Sequence, residues 1–252
     1  NQLTADYEND RYGINGGVYF ENIEVENMFS FGISGLDSAY FKNISVHHNN
    51  NDGIGGGSYF YNVDSYNNSG FGIATQSSNV NFTDVNVYNN GSYGVSTRGG
   101  HFYNCNIYDN GDFGLRTYET TSLGLIGPGA YLYDSKIYDN DNFGANGVTY
   151  IANSEVTGNG SNGVDARSNA TIINSVISDN NGYGIHSGGS FRYNTISNNN
   201  GYAIAADSEA DIVENHITDN NGHSITGGLL ITGNYIDDNG DNSQEAIIDC
   251  NS

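Results

Sequence analysis

The chain has 252 residues, 29 acidic against seven basic, for a formal charge of −22. A nucleic-acid binder needs a basic footprint, so the balance argues against that class, and no apolar run approaches the ~20 residues of a membrane-spanning helix. Yet 20 Tyr and 11 Phe stand among 35 Gly and a single Pro, an aromatic content that disordered chains lack.

Internal repetition organises the rest. An Asn closing segments such as "IYDN", "ISDN" and "ITDN" recurs at Asn49, Asn68, Asn90, Asn110, Asn140, Asn159, Asn180, Asn199, Asn220 and Asn239, mostly 19 to 22 residues apart. After the Asn come polar residues, then an aromatic or polar residue, Gly and an aliphatic, as in Phe31-Gly32-Ile33, Phe71-Gly72-Ile73 and Tyr183-Gly184-Ile185. A second apolar beat follows at Phe20, Phe41, Phe60, Phe82, Phe102, Leu132, Ile151, Ile172, Phe191 and Ile212. A third lies at Val25, Val46, Val87, Ile107, Ile137, Val156, Ile177, Ile196, Ile217 and Ile236.

Three short beats per repeat, alternating with polar residues at period two, predict three short strands and no helix. Gly and Asn at the punctuation points suit the left-handed backbone of sharp corners. The expected fold is all-β: a right-handed single-stranded parallel β-helix (solenoid) of about eleven coils, with like residues stacked roughly 4.8 Å apart. Residues 1–252 read as one such domain. One repeat is 30 residues long, and its excess predicts a loop insertion near 119–130, "ETTSLGLIGPGA". Long loops on regular scaffolds often carry function.

Several columns have structural explanations. A buried Asn at a corner satisfies backbone groups that the turn leaves open, so stacked copies form a ladder. Tyr66, Tyr88, Tyr108 and Tyr138 follow the third beat and predict an aromatic stack. Cys105 and Cys250 lie about seven coils apart, too far for a disulfide, so Cys105 is expected to be a small buried residue. Acidic corners at Asp139, Asp141, Asp237, Asp238 and Asp241 offer oxygen ligands of the kind calcium prefers. Structural Ca²⁺ is the one cofactor they suggest.

Chemistry on such a scaffold belongs on an outward strand face. Counting from the aliphatic after Gly, positions one and three residues on should point outward. Those columns hold Arg98, Arg116, Tyr118, Asn146, Asp165, Arg167, His186 and Asp207. Three of the seven basic residues fall there, and arginine's planar fork suits a carboxylate ligand. Asp165 and His186 share one column on adjacent coils, with Arg167 two residues from Asp165 and Tyr183 at the corner before His186. Asp, His, Arg and Tyr on one face are equipped for proton transfer. The candidate catalytic set is His186, Tyr183, Asp165, Arg167 and Asp207, and the candidate substrate-binding set is Arg116, Arg98, Tyr118 and Asn146.

The repeat resembles the β-helix families of polysaccharide-active proteins (pectate lyases, polygalacturonases, alginate lyases, tailspikes). "YDNGDFG", "SDNNGYGI" and "NNNGYAI" are most similar to the catalytic module of mannuronan C5-epimerases. That family's motif, Tyr-Gly-Phe-Asp-Pro-His, has its nearest match in Asn162-Gly163-Val164-Asp165-Ala166-Arg167. Asp165 fits, Asn162 stands for the Tyr and Arg167 for the His. The next coil offers Tyr183 and His186, with Gly188 where a second Asp would stand. The resemblance implies a protein of the extracellular space or a cell or virion surface that binds an acidic polysaccharide and modifies it by lyase or epimerase chemistry. Arg116 and Arg167 would neutralise a uronate, His186 would take the C5 proton, Asp165 would orient His186, and Tyr183 would return a proton. Two alternatives stay open: an inverting hydrolase using Asp165 and Asp207, and a non-catalytic structural or carbohydrate-binding rod such as a surface-layer, adhesin or tail-fibre segment.

Overall fold

The computed structural model describes residues 2–4, 12–118, 128–240 and 248–249. Every element among them is a β-strand, and these strands pair in parallel. The chain is an all-β parallel solenoid of about eleven turns, and it divides into two compact units, residues 1–130 and 131–252. Most of the predicted insertion, and Cys250, lie outside the described residues.

Unit one is built on long strands. Tyr19–Glu26, Tyr40–His47, Tyr59–Tyr66 and Val80–Tyr88 carry the second and third beats together. Phe20, Phe41, Phe60, Phe82 and Phe102 pair in register. Their rings stack 4.4–5.0 Å apart, each 4% exposed or less. The third beat skips one coil: Ser65 stands between Val46 and Val87, buried, with its hydroxyl donating to the Gly72 carbonyl at 2.7 Å. In unit two most strands are two or three residues long, Ala145–Ala152 and Val164–Ile173 being the exceptions, and the core is mainly aliphatic. Ile151, Ile172, Phe191 and Ile212 stack in one column, and Ile137, Val156, Ile177, Ile196, Ile217 and Ile236 in another.

The asparagine column is a ladder in both units. Each side-chain amide donates to the side-chain oxygen of the next: Asn49 to Asn68 (2.8 Å), Asn68 to Asn90 (3.0 Å) and Asn90 to Asn110 (3.0 Å) in unit one. In unit two the run from Asn140 to Asn239 does the same at 2.8–3.0 Å. The same oxygens accept the backbone N–H of the preceding rung. A second ladder at the other corner runs through Ser135, Ser154, Ser175, Asn194, Asn215 and Asn234. Cys105, 1% exposed, makes the same local contact as these serines, its thiol donating to the carbonyl two residues back, Tyr103.

The division of labour between Gly and Asn differs from expectation. The left-handed corners belong mainly to Asn and Asp, for example Asn67 (φ 54°), Asp109 (φ 52°) and Asp139 (φ 54°). Glycine of the aromatic-Gly-aliphatic motif is not left-handed at all. Its role is close approach: a Cβ on Gly163 would lie 2.6 Å from the Asn180 amide and 2.9 Å from the Gly184 carbonyl. The ladder and its facing glycine are therefore one packing unit.

The tyrosine column stacks as well, Tyr66 on Tyr88 at 4.8 Å and Tyr88 on Tyr108 at 4.9 Å, nearly coplanar. His47 caps Tyr66 at 4.6 Å. Ring faces are consumed by the neighbouring rings, so the column offers edges and hydroxyls to solvent, where a sugar-stacking platform needs faces. Partial burial, reinforced by the adjacent Tyr108 and Tyr66, pushes the Tyr88 phenol up to about 12 from 10.0. The folded chain thus holds this proton more tightly than the unfolded one. Its contribution is whole below pH 10.0 and is lost as pH rises to about 12. Ultraviolet titration of tyrosinate, run beside an unfolding midpoint, should show a late-ionising class and falling stability over that interval. Ionisation of all tyrosines near their ordinary value would contradict the stack.

Candidate active site

The first strand of each coil carries the outward column, and its register is as expected within each unit. Asn146 pairs with Asp165, Asp165 with His186, and His186 with Ala205. Strand Val164–Ile173 alternates as its sequence requires: Val164 and Ala166 point inward while Asp165 and Arg167 face outward.

Three of these side chains form a continuous hydrogen-bonded chain. Asn146 Nδ2 donates to Asp165 Oδ2 at 2.6 Å, and His186 Nδ1 meets Asp165 Oδ1 at 2.7 Å. A carboxylate can only accept, so Nδ1 carries the hydrogen and the lone pair of the neutral ring resides on Nε2. The His186 side chain is 48% exposed and Asp165 29%. The imidazole is open to a ligand while its partner is partly sheltered. Asn146, in the candidate substrate-binding set, has its amide on the carboxylate that holds the histidine.

The surroundings fix this chain of contacts. The strand beneath Asp165 is irregular, with register shifts on both sides of Val148. Gly147 there is left-handed (φ 75°), and Arg167 Nε donates to its carbonyl at 3.0 Å. Bulges of this kind re-aim side chains beside functional sites. The sequence offered only one signal of it, a glycine after Asn146. Beyond His186 the backbone turns at once through Ser187 (φ 61°) and Gly188 (φ 101°). The Ser187 hydroxyl reaches both oxygens of Asp207, at 3.2 and 3.1 Å. Ser187 escaped sequence reasoning because a serine gives no sign of a left-handed conformation. The Tyr183 ring packs against His186 at 5.8 Å and on Tyr202 at 5.1 Å, and its backbone N–H is held by Asn162 Oδ1 at 2.9 Å.

Unit one carries a separate group. Arg116 Nη1 donates to the Tyr93 hydroxyl at 2.6 Å, and its guanidinium lies over the rings of Tyr93, Phe113 and Tyr118 at 5.2, 5.5 and 5.9 Å. The Ser96 hydroxyl donates to the Tyr118 oxygen at 2.8 Å. Arg98 follows Thr97, which pairs with Thr117. Among the described residues no cluster of three or more His, Cys, Asp or Glu is disposed to hold a metal, and no helix is long and apolar enough to cross a membrane.

Known proteins supply a fold comparison. The periplasmic alginate epimerase AlgG (T265N mutant) superposes with a TM-score of 0.62 at 11% identity, over 90% of this chain and 76% of that one. The chain shares its β-helix. The A-module of Azotobacter vinelandii mannuronan C-5 epimerase AlgE4 matches at a TM-score of 0.49 and 19% identity, over 88% of this chain; the chain spans 64% of that module's length. No family model and no curated protein matches the sequence. At such identity the likeness establishes the β-helix and leaves the chemistry to the residues themselves.

Proposed function

We propose that this protein binds an acidic polysaccharide outside the cytoplasm and moves the proton on the ring carbon bearing the carboxylate, as uronan lyases and C5-epimerases do. The observation that carries this reading is the Asn146–Asp165–His186 chain, which holds the half-exposed His186 imidazole by its Nδ1 on an outward strand. In the proposed step His186 Nε2 takes the C5 proton, and the C–H electron pair moves into the adjacent carboxylate. Arg167, on the same face as Asp165, supplies positive charge toward that developing anion. The pair then returns in one of two ways. It expels the C4 oxygen, which Tyr183 protonates, or it recaptures a proton at C5 from Tyr183 on the opposite face. Asp165 keeps the ring in the productive tautomer and stabilises the imidazolium that forms.

Both oxygens of Asp165 are engaged, one by His186 and one by Asn146, and Asp207 accepts from Ser187. A two-carboxylate hydrolysis is accordingly the weaker fit. The fold shared with an alginate epimerase supports a polyuronate substrate and a site of action beyond the cytoplasm. The test incubates the protein with alginate and with pectate in heavy water with added calcium. Deuterium at C5 or an ultraviolet rise from unsaturated ends is expected. New reducing ends without either would mean hydrolysis, and no change in any polyuronate would remove the proton-transfer reading.

A further inference from the structure

Charge accounting among the described residues sets two arginines apart. Lys42 pairs with Glu21, Lys136 with Glu155 and Arg192 with Asp211, at 2.7 to 3.0 Å. Arg167 braces the Gly147 carbonyl. Arg98 and Arg116 make no ion pair among the described residues, in a chain with 29 acidic side chains. Both are partly exposed: Arg116 lies on strand Leu115–Thr117, and Arg98 in the bend that follows its partner strand Val95–Thr97.

Arg116 is not idle. Three aromatic rings back its guanidinium, and the Tyr93 hydroxyl takes one hydrogen of Nη1. Rings stabilise a cation without neutralising it. A tyrosine hydroxyl fixes the plane of the guanidinium without giving it a counter-ion. No other described residue meets the Nε and Nη2 edge, whose parallel N–H donors are the arrangement that takes both oxygens of a carboxylate. Tyr118 is held in turn by Ser96, which is fully buried. The cradle is therefore rigid before any ligand arrives, so little ordering cost is left for binding. Arg98 brings a second positive charge to the strand carrying Ser96 and Thr97.

We propose that Tyr93, Arg116 and Tyr118, with Arg98 beside them, form a carboxylate-binding subsite for an anionic glycan, complete within unit one. It stands on its own residues and does not depend on proton transfer at His186. Its ligand class is a sugar acid carboxylate, and the aromatic walls supply apolar surface for the ring that bears it.

The experiment titrates tetramannuronate, and the same tetramer with its carboxyls reduced to alcohols, into a His186→Ala background by calorimetry. In that background the proton-transfer reading predicts turnover slowed about 10²–10⁴-fold, so the titrant survives the titration. Arg116→Gln should weaken the carboxylated tetramer by about tenfold or more and leave the reduced tetramer unchanged. Arg116→Lys, which keeps charge but not the fork, should fall between. Arg98→Gln, which breaks no ion pair among the described residues, should weaken binding and flatten its salt dependence with the melting temperature retained. Binding within twofold of the parent in both glutamine variants overturns the subsite, as does equal affinity for the two tetramers. Undiminished turnover in His186→Ala would count against the proton-transfer reading alone.

Discussion

Replacing His186 by Ala should cut C5 proton exchange about 10²–10⁴-fold, the range for removal of a positioned acid–base group, while the melting temperature stays where it was. The second half of that expectation follows from geometry. The ring is half exposed and belongs to neither ladder nor core, so its removal opens no cavity. Asp165→Asn should cost less. An amide oxygen still accepts from Nδ1 and preserves the tautomer, but it no longer stabilises the imidazolium. Asn146→Ala, which frees one oxygen of Asp165, should cost least, on the order of tenfold if it acts only by positioning. A graded series in turnover with constant stability is the signature of a relay. Full activity in His186→Ala would end the assignment, and equal loss in all three accompanied by lower melting temperatures would mean the column is only structural.

The largest stability effect is expected at the asparagine ladder. Asn180 donates to Val156 O at 3.1 Å and to Asn199 Oδ1 at 2.9 Å. Its oxygen accepts the backbone N–H of Asn159 at 3.1 Å and the side-chain amide at 2.9 Å. All of this happens at 1% exposure. Asn180→Ala leaves a buried N–H and a buried carbonyl short of a partner, each costing about 1–3 kcal/mol, and opens space opposite Gly163. A loss of roughly 3 kcal/mol is expected. Asn180→Ser should recover part of it, since serines fill equivalent corner positions at Ser154 and Ser175. The control is Asn200→Ala: Asn200 also bonds to a stacked neighbour, Asn181, but in full solvent, where water replaces what is lost. Thermal midpoints that fall equally for Asn180 and Asn200 would show that ladder burial adds nothing.

Much of this protein was legible from spacing. The three apolar beats per coil, the asparagine column, the tyrosine stack and the outward parity of Asp165, Arg167 and His186 all follow from a repeat near twenty residues. In a solenoid, residues one period apart must meet in space. That rule brings the same position of successive coils together without any knowledge of side-chain direction, which is why spacing alone pairs Asp165 with His186. It does not distinguish residues whose partner is not one period away. The glycine of each motif looked like a turn residue and proved to be space for an asparagine amide.

The sequence by itself determined the strand-only fold, the coil count and which side chains share a column, because those depend on period and parity alone. Only the tertiary structure decided how each column member spends its hydrogen bonds: the bulge at Gly147, the left-handed Ser187, the aromatic rings behind Arg116. These depend on backbone angles and rotamers set by the neighbouring coils, and a one-dimensional pattern carries no record of them.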